Sequence, residues 1–391
     1  MTDKPSPTDA IFTLCLAFAI SIPAFLGQDQ SMKPIFYALI LLPTIGLVLA
    51  KKIQLTVLFK RYPHVFLLAA PLVFWSASNI WSADPELFLP FIRRSLTTFI
   101  FIIAVAHITS KLQHNLSHYL DLALFLVAVG AVIQLLSMWQ QGNNHGALWR
   151  LGDDSVFNRS LHAAHYFGFF ATYGLVRFYQ QADSRRCWAY LAALTPCLLY
   201  MFMTFSRGPI MSYLLVYLAI SVFWYRKASH AVFALILAAG VTFVHWDSMI
   251  QRGASFRFEI WQGAVDIIRD NAWLGIGFGA QLDVMYGKAA LSAPHAHNLF
   301  LDVFAKSGIV GFLIICAIAV YVAYRAIKAD PKEQLFVATL LFFFASMMTD
   351  VHKLVNSPTS VYIVFWLPLT ALLVTTADRR HGKLPVKATA G

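Results

Sequence analysis

The side chains best suited to chemistry are arginines and histidines at the edges of apolar runs. Arg207 lies in the sequence Ser-Arg-Gly-Pro between two such runs, and Arg257 is followed four residues later by Trp261. A guanidinium binds phosphate oxygens in a bidentate geometry, and residues four apart share a helix face. Both segments therefore predict contacts with a phosphate-bearing or sugar-bearing substrate. Arginines that merely snorkel or are solvated are the competing interpretation.

Two histidines, His295 and His297, lie directly before the apolar run that begins at Leu299. The positive end of a helix dipole disfavours imidazolium, so a histidine placed there stays neutral and can accept a proton near pH 7. We predict that His297 is a general base and that His295 and Asn298 contact substrate. A capping or packing role is the alternative. No third ligand lies nearby in sequence, so we expect neither a metal nor another cofactor.

Further polar side chains lie where other apolar runs begin or end. Arg159 and His162 stand where an outer loop meets a run, and Arg93 and Arg94 form a basic pair. We predict these four residues as substrate contacts, although snorkelling also explains the arginine pair. Asp350, which follows a later run, is a further predicted substrate contact; orienting a histidine or capping a helix are its other possible roles.

The composition requires that membrane helices position these side chains. Apolar residues make up 59% of the 391 residues and charged residues only 13%, with a mean hydropathy of +0.63. Soluble domains have about 45–50% apolar and about 25% charged residues. The net charge of +11 is dispersed between hydrophobic runs. No nucleic-acid-binding motif accompanies it, so we expect no nucleic-acid partner.

Apolar runs predict an all-α polytopic membrane protein with about twelve transmembrane helices, since a helix crossing about 30 Å of hydrocarbon needs about 20 apolar residues. We predict one integral membrane domain over residues 1–391, with short helices inside one large periplasmic loop at 247–298. Loop lysines and arginines place both termini in the cytoplasm, and we interpret the first run as a retained span. The predicted spans are residues 10–26, 34–50, 63–80, 95–109, 119–138, 161–178, 188–205, 208–225, 230–246, 299–325, 334–349 and 359–377.

The outer loops nevertheless carry several arginines, against the bias that concentrates basic residues on the cytoplasmic side. This excess indicates an extracytoplasmic site for a phosphate-bearing, membrane-borne substrate. A glycine-rich segment in the large loop, Trp273–Gly279, superficially resembles a nucleotide-binding loop. No strand is predicted before it, so we interpret it as a flexible turn.

The order of these motifs resembles the O-antigen ligase and polymerase superfamily of bacterial envelope glycosyltransferases. The detailed match covers about residues 200–315, and the spans and the late outer loop extend it loosely over the whole chain. Each motif is short and unspecific alone, whereas their joint order is specific for the superfamily. In chain order the motifs are Ser206-Arg207-Gly208, Arg257-Phe-Glu-Ile-Trp261, Gly275-Ile-Gly277-Phe-Gly279, His297-Asn298-Leu-Phe-Leu-Asp302 and Lys306-Ser-Gly308-Ile-Val-Gly311.

The resemblance implies a fold similar to type C glycosyltransferases in the bacterial inner membrane and, most closely, a ligase. Such an enzyme transfers O-antigen from undecaprenyl diphosphate to a sugar hydroxyl of lipid A–core at the periplasmic face, with inversion and without a metal. The resemblance implies that His297 is the base and that Arg207 and Arg257 stabilise the leaving diphosphate. His295 and Arg159 are further positions carried over from the family. Membrane lipids are the remaining expected partners.

Other functions stay open. An O-antigen polymerase or a protein O-oligosaccharyltransferase uses the same donor with a different acceptor. A transporter of anionic lipids or solutes also suits twelve spans and basic residues in a cavity. That class predicts paired repeats and broken helices in both halves of the chain, and neither is evident in the sequence.

Overall fold

The computed structural model describes residues 6–26, 32–112, 116–142, 160–244, 256–286, 291–351 and 353–380. Most of these residues are helical, because a chain in hydrocarbon must satisfy its backbone groups internally. The predicted all-α polytopic membrane protein is confirmed. Within the described ranges, eight helical stretches are long and apolar enough to cross a membrane: Pro7–Leu26, Met32–Leu49, Pro63–Trp81, Pro85–Leu112, Leu116–Gln140, Ser184–Met203, Arg207–Trp224 and Leu299–Lys328.

The four remaining predicted spans also coincide with helices, over the part of each span that the structure describes. They are residues 161–178, 230–246, 334–349 and 359–377, and the helices over them are Ser160–Gln180, Ala228–Val244, Pro331–Met347 and Leu367–Arg380, the last preceded by a π-helical turn. The count of twelve membrane crossings stays a prediction.

We number the α-helices of the described ranges in chain order. Short π-helical turns lie at Tyr37–Leu41, Ile220–Trp224 and Tyr362–Trp366, and 3-10 turns lie at Ser78–Trp81 and Pro85–Leu87. The helices are α1 (Pro7–Ser21), α2 (Pro23–Leu26), α3 (Met32–Phe36), α4 (Leu42–Leu49), α5 (Leu55–Arg61), α6 (Pro63–Leu67), α7 (Ala69–Ala77), α8 (Phe88–Leu112), α9 (Leu116–Gly142), α10 (Ser160–Gln180), α11 (Ser184–Met203), α12 (Arg207–Ala219), α13 (Ala228–Val244), α14 (Arg257–Asp270), α15 (Leu299–Lys328), α16 (Pro331–Met347) and α17 (Leu367–Arg380).

Polar contacts at one end of the bundle join segments that are far apart in the sequence. Arg61, the last residue of α5, pairs with Asp378 of α17, and the Gln180 side chain donates to the Pro331 carbonyl oxygen at 2.5 Å. We call this end the inner face. It contains the loops whose lysines and arginines predicted a cytoplasmic location. The opposite end, where α10, α12 and α15 begin, is called the outer face.

The outer face carries an extra layer between α13 and α15, made of α14 and a two-stranded antiparallel hairpin. Strand β1 (Val284–Tyr286) pairs with β2 (Leu291–Ala293), with Val284 opposite Ala293. Ile260 and Ala264 of α14 pack with these strands and with α15 in a separate apolar core. Their spacing of one helical turn predicted this helix.

Helix α15 is broken at Gly308, where φ is 62° and glycine is favoured over residues with a Cβ. In an unbroken helix, Ile309 would donate to the Ala305 carbonyl oxygen. Here Ile309 N–H donates to the Ala272 carbonyl oxygen at 2.8 Å, and the Ala305 carbonyl accepts from Ile276 N–H at 3.0 Å. The glycine-rich segment therefore docks its backbone into the break, where the sequence predicted a flexible turn.

The other side of the glycine-rich segment contacts the end of α7. Phe278 N–H donates to Ser78 Oγ at 2.9 Å, and Gly279 N–H donates to Asn79 Oδ1 at 2.7 Å. The Phe278 ring stacks on Trp75 with a centroid distance of 5.0 Å. Both strands of the described residues follow this segment, so it is not a turn between a strand and a helix, as a nucleotide-binding loop requires.

Candidate active site at the outer face

Three consecutive residues after α16, Met348, Thr349 and Asp350, connect the segments that carry the predicted site. Asn298 Nδ2 donates to the Met348 carbonyl oxygen at 3.1 Å. Gly208, in the first turn of α12, lies so close to Thr349 that a Cβ at this glycine would overlap the threonine hydroxyl. The turn after α16 therefore holds the histidine–asparagine motif and the Ser-Arg-Gly motif against each other.

Asp350 lies between His165 of α10 and His297 of the loop before α15. Its Oδ1 is 3.9 Å from Nδ1 of His297, and its Oδ2 is 3.7 Å from Nδ1 of His165. The side chains of His165 and Asp350 are only 1% and 5% exposed, whereas that of His297 is 33% exposed. Of the two rings, His297 is therefore the one that a substrate can reach.

The backbone at His297 is set by the start of α15. His297 has φ 49°, and Asn298 caps the helix by accepting from the N–H groups of Phe300 and Leu301 at 3.0 and 3.2 Å. Asparagine is a preferred N-cap residue because its side-chain oxygen satisfies these free donors. Left-handed backbone at a residue with a Cβ costs about 1–3 kcal/mol and concentrates at functional sites.

A buried ion pair inside α15 supports the same loop. Asp302 Oδ2 is 3.0 Å from Lys306 Nζ, and both side chains are buried. Asp302 Oδ1 also accepts from the backbone N–H of Ala296, between the two predicted histidines, at 3.1 Å. A buried carboxylate needs a partner charge and hydrogen bonds to be tolerated, and this one receives both. Asp302 thereby fixes the backbone that presents His295 and His297.

His295 packs edge-to-face against His297, with ring centroids 4.2 Å apart. Burial lowers the pKa of His295, and the nearby His297 and Lys306 lower this pKa further, while Asp302 and Asp350 oppose the shift. Its Nδ1 is buried and has no hydrogen-bond partner among the described residues. His295 is therefore a neutral ring at pH 7, directly beside the exposed His297.

The predicted arginines lie in different places relative to this cluster. Arg207 is the first residue of α12, next to Gly208, and so lies beside the turn that carries Asp350. Arg257 is the first residue of α14 and is partly exposed. One turn later, the indole N–H of Trp261 is buried without a hydrogen-bond partner in the described ranges. The structure places the start of α12, and with it Arg207, against the turn that carries Asp350, whereas the contacts it describes do not join Arg257 to this turn.

The predicted arginine pair lies on α8 near the glycine-rich segment. The Arg94 guanidinium stands 4.9 Å from the centre of the Phe91 ring, and Phe91 packs edge-to-face on Phe278 at 6.2 Å. Arg93 is exposed. The described contacts of this pair lead to the glycine-rich segment and not to the histidines.

Three members of the cluster were not among the predicted site residues: His165, Asp302 and Lys306. An ionisable residue inside an apolar run is a signal of function, and His165 carried that signal. Asp302 and Lys306 are four residues apart in an apolar helix, the spacing of an ion pair. The predicted His162 lies one turn before His165 on α10, on the same helix face. Arg159 lies outside the described residues.

The side chains of the cluster can hold a proton and an anion. His297 is accessible, and Asp350 can stabilise its charged form. Arg207 stands at a helix N-terminus, where backbone donors and the helix dipole also favour an anion. Among the residues that the structure describes, no group of three or more His, Cys, Asp or Glu side chains is arranged to hold a metal ion. Taking a proton from a hydroxyl beside a bound anion is the chemistry this arrangement supports.

Comparisons with known proteins agree on one family. A family model described as O-antigen ligase matches residues 191–316, which include Arg207, Arg257 and His297. The chain is also 30% identical over 277 residues to the O-antigen ligase of Pseudomonas aeruginosa. The chain belongs to the O-antigen ligase family. The aligned region covers 67% of this chain and 66% of the length of that relative. In this O-antigen ligase family member, His165 and Asp350 lie outside residues 191–316, the part that the family model matches. The fold nevertheless brings Asp350 close to His297, which lies inside that part.

Proposed function

We propose that this protein is an O-antigen ligase of the bacterial inner membrane, with both termini in the cytoplasm. It transfers O-antigen from undecaprenyl diphosphate to a sugar hydroxyl of lipid A–core at the periplasmic face. The observation that carries this proposal is the accessible His297 with the buried Asp350 carboxylate behind it, at the outer face of a member of the O-antigen ligase family.

In the proposed reaction, His297 accepts the proton of the acceptor hydroxyl while that oxygen forms a bond to the anomeric carbon. The bond between the anomeric carbon and the diphosphate breaks, and its electron pair leaves with undecaprenyl diphosphate. Attack from the side opposite the leaving group inverts the anomeric centre. Asp350 stabilises the imidazolium that forms on His297, an interaction that strengthens only as the proton moves.

Arginine side chains stabilise the leaving diphosphate in this proposal, so the reaction proceeds without a metal. Arg207 beside the histidine cluster supplies one guanidinium, and Arg257 and Arg159 supply the others once substrate is bound. Trp261 offers its ring face to the sugar, one helical turn from Arg257. The other proposed substrate contacts are His162, His295, Asn298, Arg93 and Arg94.

A transfer assay with purified components tests the proposal. The enzyme is incubated with lipid-linked glycan and lipid A–core in the presence of EDTA, and the glycan-capped product is measured. We expect product with the unchanged enzyme and its loss in Arg207→Ala and His297→Ala variants that keep the same Tm. Arg269→Ala is the matched control, because Arg269 is an arginine of the same outer layer whose side chain is 74% exposed and, among the described residues, pairs only with Asp266.

Other products would contradict the ligase assignment in distinct ways. Glycan that lengthens on the donor lipid identifies a polymerase, and glycan on an added protein identifies an oligosaccharyltransferase. The absence of any transfer by folded enzyme, together with movement of labelled lipid across vesicle membranes, identifies a transporter. Full activity in His297→Ala keeps the ligase function but removes His297 as the base.

A further inference from the structure

A cavity of about 320 Å³ opens at the inner face, at the other end of the bundle from the histidine cluster. It lies between α5 with its preceding loop and the last turns of α8. Most of its polar lining is basic. The side chains that matter for its chemistry are Lys52, Gln54, Arg61, Tyr62, His107 and Lys111.

One wall of the cavity is an ion pair in which the carboxylate is buried and already has its hydrogen-bond partners. Arg61 Nη2 donates to Asp378 Oδ1 at 2.6 Å, and the Tyr62 hydroxyl lies 2.9 and 3.0 Å from the two oxygens of the same carboxylate. Asp378 is fully buried and its charge is balanced within this wall. Arg61 Nε remains buried without a hydrogen-bond partner in the described part of the chain.

The remaining cations have few acidic partners. His107 Nε2 lies 3.0 Å from Asp9 Oδ1, and Asp9 also closes the capping box at the start of α1. Lys52 Nζ reaches the Thr8 hydroxyl at 3.4 Å. Lys111 forms neither an ion pair nor a hydrogen bond with the described residues. An anion in the cavity therefore meets the charges of two lysines, Lys52 and Lys111.

The apolar part of the lining indicates where such an anion comes from. Val57 and Leu58 of α5 line the same cavity, and Val57 and its neighbour Phe59 are more than half exposed. A short helix with exposed apolar side chains beside lysines is typical of a helix in the headgroup region of a membrane. A free phosphate ion needs no apolar wall, whereas a phospholipid does.

We propose that this cavity binds the phosphodiester headgroup of an anionic glycerophospholipid, such as phosphatidylglycerol, from the leaflet at the inner face. Lys52 and Lys111 face the phosphate oxygens, and the glycerol and acyl chains extend along Val57. Basic pockets between membrane helices bind such headgroups on the cytoplasmic side. The bound lipid ties α5 to α8 and thereby stabilises the fold. The site lies at the opposite end of the bundle from the proposed transfer reaction and does not depend on it.

Thermal unfolding of delipidated full-length protein in detergent tests this site. We expect phosphatidylglycerol to raise Tm in a saturable way and native mass spectrometry to show a retained lipid. Phosphatidylcholine and inorganic phosphate should each leave Tm unchanged. The double variant Lys52→Gln/Lys111→Gln should lose the shift, and Lys52→Arg/Lys111→Arg should keep it. Arg61 is left in place, because removing it would strand the buried Asp378.

The matched control is Lys51→Gln/Lys60→Gln, which removes the same charge from neighbouring positions that do not line the cavity. This control should keep the full lipid-dependent shift. Equal losses in the two glutamine variants, or an equal effect of phosphatidylcholine, would overturn the site. A Tm rise with inorganic phosphate that matches the rise with lipid would show a free-anion site and overturn the lipid assignment.

Discussion

Two buried carboxylates at opposite ends of the bundle are held in different ways. At the inner face, Asp121 accepts from Arg177 Nε and Nη2 at 2.8 and 2.7 Å. It also accepts from the hydroxyls of Tyr173 and Tyr190 at 3.0 and 2.7 Å. At the outer face, Asp350 has its two histidines at 3.7 and 3.9 Å, beyond hydrogen-bond length.

The Asp121 cluster has the contacts of a structural cluster, and the Asp350 cluster is the one that we propose to be reactive. The Asp121 carboxylate already accepts four short hydrogen bonds, so any movement of its partners would weaken these bonds. Distances of 3.7–3.9 Å leave room for a contact to shorten when a histidine ring gains a proton. Catalytic hydrogen bonds are often long in free enzymes and tighten only with substrate. This difference supports the proposal that the Asp350 cluster serves chemistry, while the Asp121 cluster serves stability.

The largest effect is expected at the outer cluster. His297→Ala should lower the transfer rate about 10²–10⁴-fold, the typical contribution of a general base. Its Tm should stay the same, because the side chain is partly exposed and bears no short hydrogen bond to Asp350. Initial rates with lipid-linked glycan and a thermal melt check this. His64→Ala at the inner face is the control and should change neither value; a matching fall in Tm for His297→Ala would make it structural.

The inner cluster should show the reverse pattern. Arg177→Ala leaves the Asp121 carboxylate buried without its partner charge, which costs about 3–5 kcal/mol of folding stability. Tm should fall, while the transfer rate per folded molecule stays unchanged at low temperature. Arg186→Ala is the matched control, since its pair with Asp183 is exposed and worth about 0–1 kcal/mol. A rate loss in Arg177→Ala at full folding would break the distinction between the clusters.

The same substitution at both carboxylates sharpens the comparison. Asp350→Asn keeps the shape but removes the charge that stabilises a protonated His297. A lost interaction of about 1–3 kcal/mol corresponds to a transfer rate about 5–150-fold lower. Asp121→Asn should instead lower Tm and leave the rate of the folded enzyme intact. The transfer rate and the Tm are measured for both variants. The same changes in rate and Tm in Asp350→Asn and Asp121→Asn would contradict the distinction between the two clusters.

The smallest expected effect is the pH dependence of stability at His295. Its pKa is lowered in the folded protein, so the unfolded chain, with an ordinary pKa of about 6.5, binds more protons as pH falls through that value. Stability that is present above about pH 6.5 is therefore lost below it. Between about pH 7 and about pH 5, the Tm of His295→Asn should fall by less than the Tm of the unchanged protein. Melting curves across this pH range test the direction of the change in Tm. Equal falls in Tm for the variant and the unchanged protein would show that His295 is not the titrating group.

Much of the fold could be predicted, because span length and hydropathy are local properties of the sequence. Each of the twelve predicted spans coincides with a helix in the ranges that the structure describes, and the helical spacing of Ile260 and Ala264 predicted α14. The docking of the glycine-rich segment was missed. Its partners, Ala305 and Ile309, lie in an apolar run whose sequence predicts a continuous helix. Only the break at Gly308 makes their backbone groups available for hydrogen bonds with this segment.

The sequence predicted single residues of the candidate site, whose roles stay predictions, but it did not predict which of them lie together. His297 and Asn298 were predicted from their position before a helix, and the structure shows Asn298 as the cap. Asp350 was left open between a cap and a histidine partner, because no local pattern links it to a loop so far away in the chain. His165 was missed for the same reason. The role of Arg257 stays a prediction, since it depends on substrate and not on a contact within the protein.

The break in α15 also constrains how the protein is made. The backbone groups freed around Gly308 find their partners in residues 272–277, which leave the ribosome before α15 does. Each unpaired backbone group in hydrocarbon costs several kcal/mol, so α15 is a poor span until those partners are present. Because translation delivers residues 272–277 first, their backbone groups are available as partners when α15 forms. The order of these segments in the chain therefore favours formation of the broken helix during synthesis.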